Sequence, residues 1–137
     1  MKKERYFQFK KRQQQRVNEF EGLFFAFNSK QFTEGMQKVN LKPDETDKIY
    51  SLPVSGGFVR KDRSQALWEL IENNDKELQE ALKDEEFLLD ALIYELRNHE
   101  FIINGDIAPA LDVLGLTADT VDRDILNKAI DGVMKET

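Results

Sequence analysis

The chain has 137 residues, 40% of them hydrophobic, a net charge of −6 and no cysteine. This length accommodates one domain with one real core. The lack of cysteine excludes disulfides, a thiol nucleophile and a cysteine-ligated metal. No apolar run approaches the roughly 18–20 residues that span a bilayer, and no apolar segment follows the charged N-terminus. We therefore expect an intracellular protein that does not bind membranes.

The N-terminal segment predicts a basic amphipathic helix over 1–22, followed by an acidic helical body over 23–137, in one domain overall. Tyr6, Phe9 and Val17 recur at helical spacing. The first 16 residues carry seven basic side chains against one acidic side chain, and such asymmetry marks an interaction arm. The alternative is that the arm lies against its own acidic body. The candidate partner-binding residues are Lys2, Lys3, Arg5, Lys10, Lys11, Arg12 and Arg16.

The next segment combines a phenylalanine-rich run with a stretch of β character. Leu23–Phe27 predicts a buried turn or a brief strand, and a helix of about ten residues follows it, capped by Asn28 or Ser29. We expect the three phenylalanines of the run to be core residues; a stacking platform for bases is the alternative. Two short β-prone runs flank a Gly-Gly pair, which predicts a hairpin near 49–60.

The second half of the chain is helical in pattern. Amphipathic helices are expected over 62–74 and 75–82, separated by Asn73-Asn74. The stretch 85–99 is apolar nearly all round, which is typical of a central, buried helix. A buried extended run over 101–103 follows, then a short helix, and then a last helix capped by Thr117 or Asp119. The fold class is therefore mainly α: a single compact helical domain of about five to six helices with one short β-hairpin.

A few polar side chains at the end of the central helix have the residue types of a metal or acid–base site. Glu95 and His99 lie one helical turn apart, with Asn98 and Glu100 beside them. A second histidine or a third carboxylate at ligand spacing is missing. We therefore expect a structural role for His99, and no catalytic residue, metal or cofactor. A small metal protein or enzyme centred on Glu95 and His99 is an alternative hypothesis.

Four segments, 24–36, 56–61, 94–101 and 110–117, resemble a family of small bacteriophage and mobile-element proteins of unknown function. The resemblance implies an accessory protein that acts by binding, in the cytoplasm of a bacterial host cell. We predict a non-enzymatic interaction protein with a protein partner. Nucleic-acid binding through residues 2–16 is the alternative that the basic segment leaves open.

Overall fold

The computed structural model describes residues 4–53 and 56–135, and the described chain is mainly α. Strands occur only in the first half of the described chain, between helices, and the second half contains helices alone. In chain order they are α1 (Tyr6–Asn18), β1 (Leu23–Phe25), α2 (Ser29–Lys38), β2 (Ile49–Ser51), β3 (Gly57–Arg60), α3 (Ser64–Ala81), α4 (Glu85–Asn98), α5 (Phe101–Asn104), α6 (Ala108–Val113) and α7 (Arg123–Met134). The predicted fold class is confirmed, with seven α-helices in the described part and a sheet of three strands rather than two.

The chain forms two compact units. The first unit combines the start of the chain, up to Gln13, with everything from Asn74 onward, and the second unit is Gln14–Asn73. The boundaries fall inside α1 and α3. The sequence predicts a different division, into a basic segment 1–22 and an acidic body 23–137, which is based on charge. That division stays a prediction.

Helix α4 is the centre of the first unit, as its apolar circumference predicts. Phe87, Leu88, Ala91, Leu92 and Leu96 are all buried. Helices α6 and α7 pack against α4, and side chains from α1, α6 and α7 join it in one apolar cluster. Burying so much apolar surface around one helix is the main source of stability in such a unit.

Helix α7 begins later than its predicted cap. Its N-cap is Asp122, whose side chain accepts a hydrogen bond from the backbone N–H of Ile125. The predicted caps, Thr117 and Asp119, are wrong because Thr117 instead closes a turn with Thr120 upstream of the helix. The inward face of α7 matches the predicted periodicity, with Ile125, Leu126, Ala129 and Val133 buried.

Two further predictions in the second half of the chain are wrong. Helix α3 runs through Asn73-Asn74 without a break. An asparagine in a helix interior costs less than about 0.7 kcal/mol, and the packing of the helix on either side of the pair outweighs this cost. Residues 101–104 form a short helix rather than a buried strand. Glu100 adopts a left-handed conformation that ends α4 and starts a new turn, and Ile103 is 81% exposed.

The second unit is built on a three-stranded antiparallel sheet in the order β1-β3-β2. The predicted hairpin is confirmed as β2 and β3, with Tyr50 opposite Val59. The run after Gly22, which the sequence left as a turn or a strand, is β1, and Leu23 lies opposite Val59 from the other side. Tyr50, Val59 and Leu23 therefore lie in one row across the sheet.

The two faces of this sheet carry separate apolar clusters. On one face, Phe24 packs with Met36, Val39 and Leu41, which belong to α2 and the segment after it. On the other face, Leu23 and Val59 pack with Leu67 of α3. Because side chains alternate along a strand, β1 contributes one phenylalanine to the first face while its neighbour, Phe25, points to the second.

Candidate functional site

The basic side chains at the start of α1 lie against acidic side chains of the first unit. A terminal guanidinium nitrogen of Arg5 lies 2.6 Å from a carboxylate oxygen of Asp90, and the backbone N–H of Tyr6 donates to the other oxygen at 2.7 Å. Burial raises the pKa of Asp90, but the two hydrogen bonds and the charges of Arg5 and Arg97 together lower it further, so that the pKa lies below its ordinary value.

Arg12 makes the second of these contacts. Its two terminal nitrogens lie 2.9 Å from Glu4 and 3.1 Å from Glu77 of α3. The guanidinium also lies 5.1 Å from the centre of the Phe9 ring. All three side chains are more than a third exposed, and exposed pairs of this kind each contribute about 0.2–1 kcal/mol.

Lys10 makes the third contact, with a carboxylate that is completely buried. Its ammonium nitrogen lies 2.6 Å from Oε1 of Glu95, and the Tyr6 hydroxyl donates to the same oxygen at 3.3 Å. The ammonium also lies 5.2 Å from the centre of the Tyr94 ring, within range of a cation–π interaction. Burial, followed by the charge of Glu95, raises the pKa of Tyr6.

The other oxygen of Glu95 faces His99. Oε2 lies 3.5 Å from Nε2 of the imidazole, and neither buried atom has a hydrogen-bond partner within the described residues. The structure thus brings Glu95 and His99 together, as their spacing predicts. Asn98 and Glu100, the other two members of the predicted polar site, are exposed.

The remaining candidate partner-binding residues have different positions. Lys11 and Arg16 are exposed on α1, while Lys2 and Lys3 lie outside the described residues. Arg5, Lys10 and Arg12 are each paired with an acidic group of their own unit. This is the arrangement that the alternative interpretation expects, and partner binding by these residues stays a prediction.

The sequence missed a set of exposed apolar side chains in the second unit. Two of them lie on the sheet face on which Leu67 packs, one follows the end of β1 and two lie on α3. Their exposed fractions run from 41% to 72%. We call the set the aromatic face; its members are Phe25, Phe27, Tyr50, Trp68 and Ile71. The prediction that the three phenylalanines of the run are core residues is wrong for Phe25 and Phe27.

Strand alternation explains how the phenylalanines divide. Phe24 enters a buried cluster, so its neighbour in the strand, Phe25, points to the opposite face, like Tyr50 across the sheet. Phe27 follows the end of β1. The Phe27 ring also lies over Gly56, where an added Cβ would come within 2.6 Å of it. A strand assignment for residues 23–25 would have revealed the division between Phe24 and Phe25.

Comparison with known proteins identifies a family for this chain. A model of a family of unknown function matches residues 5–136. No curated protein and no solved structure matches the chain. Within 4–53 and 56–135, no group of three or more His, Asp or Glu side chains is placed to hold a metal ion. None of the helices described here has the length and apolar character needed to cross a bilayer.

Proposed function

We propose that this chain, which belongs to the DUF7659 family, is a small non-enzymatic protein that binds a protein partner through its aromatic face. The observation that supports the proposal is the exposure of four aromatic side chains, Phe25, Phe27, Tyr50 and Trp68, in one unit. Aromatic residues are enriched at protein interfaces and dominate their binding energy. Phe25 and Tyr50 lie on the sheet face against which Leu67 of α3 packs, and Trp68 is the next residue of that helix.

The contacts of α1 favour this proposal over binding through the basic segment. Arg5, Lys10 and Arg12 each face a carboxylate within 3.1 Å, so a phosphate backbone would have to displace those pairs. Lys10 in particular neutralises a fully buried charge, and leaving such a charge unpaired is costly. Nucleic-acid binding through residues 2–16 is therefore the second candidate, with Lys11 as its exposed test residue.

The experiment compares proteins captured from bacterial lysate by matched variants. The test variant carries Phe27→Ser, Tyr50→Ser and Trp68→Ser, and the control carries Phe7→Ser and Ile103→Ser, two exposed apolar side chains of the first unit. We expect a partner that the wild type and the control retain and the test variant loses. Equal retention by both variants, with unchanged circular dichroism, would overturn the proposal. Loss on Lys11→Glu together with steep salt dependence would favour nucleic acid instead.

A finer proposal concerns origin and location. The resemblance of 24–36, 56–61, 94–101 and 110–117 to bacteriophage and mobile-element proteins supports an accessory protein of a mobile element, acting in the cytoplasm of the bacterial host. We expect the genes of family members to lie within prophages or other mobile elements. A survey that finds them mainly among conserved chromosomal genes would contradict this origin.

A further inference from the structure

The second unit contains a cavity of about 480 Å³, away from the residues of the aromatic face. It is lined by the connection from α1 to β1, the end of α2 and the turn that leads from β3 into α3. Small-molecule sites commonly have volumes of about 300–1,000 Å³ and a few polar groups that fix the ligand. The size of this cavity therefore fits a small metabolite. The charges and hydrogen-bonding groups of the side chains at its wall determine which chemical class of metabolite it can bind.

Arg63 is held in the cavity wall by three separate contacts. Its Nε donates to the carbonyl oxygen of Glu21 at 3.2 Å, and its guanidinium lies 4.9 Å from the centre of the Phe20 ring. Its stem passes Gly22, where an added Cβ would lie 2.8 Å from Arg63 Cγ. Gly22 also has φ +96°, which disfavours other residues. The guanidinium is thus fixed in place before any ligand arrives.

The cations of the wall differ in how far they are already engaged. Arg60 is engaged through each of its three guanidinium nitrogens: it donates to both carboxylate oxygens of Asp62 and to the carbonyl oxygen of Val39. By contrast, within the described residues no hydrogen bond reaches the two terminal nitrogens of Arg63, and no ion pair reaches Lys38. These two cations are the donors that a ligand would meet.

The acidic side chains of the same wall limit the size of the ligand's charge. Glu19 and Glu21 also line the cavity, and Glu19 is held by a hydrogen bond from the Gln15 amide. Carboxylates in this position repel an extended polyanion such as a nucleic-acid backbone. They are compatible with a small molecule whose single oxyanion lies at the cations and whose hydroxyl or amino groups lie at the acids.

We propose that this cavity binds a small molecule through one phosphate or carboxylate group, held by the terminal nitrogens of Arg63 and by Lys38. A guanidinium presents two parallel donors that match the oxygens of either group. Because its position is already fixed, binding requires little further ordering of Arg63. The site is independent of the aromatic face and of the partner that we propose for it.

The test is an NMR titration of the full chain with inorganic phosphate and, separately, with acetate. We expect saturable shifts of the Gly22, Leu23 and Asn40 backbone amides, and the tighter of the two probes identifies the preferred oxyanion. Arg63→Gln should weaken binding about tenfold or more, since it removes hydrogen bonds to a charged group. Arg63→Lys should bind more weakly than the wild type, because it keeps the charge but loses the paired donors.

Two further variants separate binding from folding. Lys38→Gln changes an exposed side chain, so the fold should be retained while affinity falls several-fold. Lys30→Gln is the matched control, an exposed lysine of α2 outside the cavity, and should bind like the wild type. The proposal is overturned if neither probe gives saturable shifts at these amides. It is equally overturned if Lys38→Gln and a folded Arg63→Gln bind as tightly as Lys30→Gln.

Discussion

The two units of the chain place their large apolar side chains differently. The first unit gathers them into one cluster around α4, including Leu92 and Leu96 with no exposed surface. The second unit divides its buried residues between two small clusters on opposite faces of a sheet. Among the described residues each unit leaves five large apolar side chains exposed, but four of the five are aromatic in the second unit, whereas Phe7 is the one aromatic in the first. We therefore expect the single cluster of the first unit to dominate stability, and the exposed aromatic side chains of the second unit are the ones that we propose for partner binding.

The largest expected effect in this comparison is at Leu92, the centre of α4. Leu92→Ala should lower the free energy of unfolding by about 2–5 kcal/mol, because it removes buried apolar atoms and leaves a cavity. Leu89→Ala on the same helix should cost less, since Leu89 is only partly buried. Urea denaturation followed by circular dichroism measures both. Equal losses for the two variants would contradict the central position of Leu92.

The fold was predictable where one pattern dominated. Helix α4 follows from its consecutive apolar residues, and the β2–β3 hairpin from two β-prone runs around a Gly-Gly pair. Strand β1 was ambiguous because three residues are too few for periodicity to separate a strand from a turn. The close contact of Gly35 with Phe24, where a Cβ would lie 2.1 Å from the ring, depends on tertiary packing that no local pattern encodes.

The second prediction compares two neighbouring lysines that are equivalent by sequence. Lys10 neutralises the buried carboxylate of Glu95, whereas Lys11 is exposed. Lys10→Met should therefore cost about 1–3 kcal/mol, the penalty for leaving a buried group without its partner. Lys11→Met, the matched control, should change stability by less than about 0.5 kcal/mol. Equal urea midpoints for the two variants would show that the Lys10–Glu95 pair contributes nothing to the first unit.

The candidate site was predictable only in part, and for a physical reason. The spacing of Glu95 and His99 places both on one side of α4, and the structure confirms that they face each other. The sequence did not predict the burial of Glu95, because a charged residue at the polar end of a helix is normally exposed. Its partners, Tyr6 and Lys10, lie more than 80 residues away in sequence, so only tertiary structure reveals them.

The third prediction is that acid weakens the contact between Arg5 and Asp90. The pKa of Asp90 is lowered in the folded protein, so its contribution to stability is present above the unfolded pKa of about 3.9 and is lost as the pH falls through the folded pKa. Because the Arg5 side chain is 74% exposed, Asp90→Asn should cost at most about 1 kcal/mol at neutral pH.

Urea midpoints of wild type and Asp90→Asn from about pH 6 to about pH 2 test this window. The difference between the two proteins should shrink toward the acid end, where the wild-type carboxyl is protonated too. A difference that stays constant with pH would mean that the charge of Asp90 is not what stabilises the start of α1.

The smallest expected effect is on the stability of the second unit, at Trp68. Its side chain is 48% exposed and belongs to none of the buried clusters, so Trp68→Ser should change the free energy of unfolding by less than about 0.5 kcal/mol. It is the chain's single tryptophan, so acrylamide quenching of the wild type reports this one site directly. We expect efficient quenching of the free protein and protection when a partner covers the aromatic face. If Trp68→Ser instead lowered stability as strongly as Lys10→Met, the residue would be a packing element, and the proposal that the second unit presents its aromatic side chains to a partner would fail at the chain's single tryptophan.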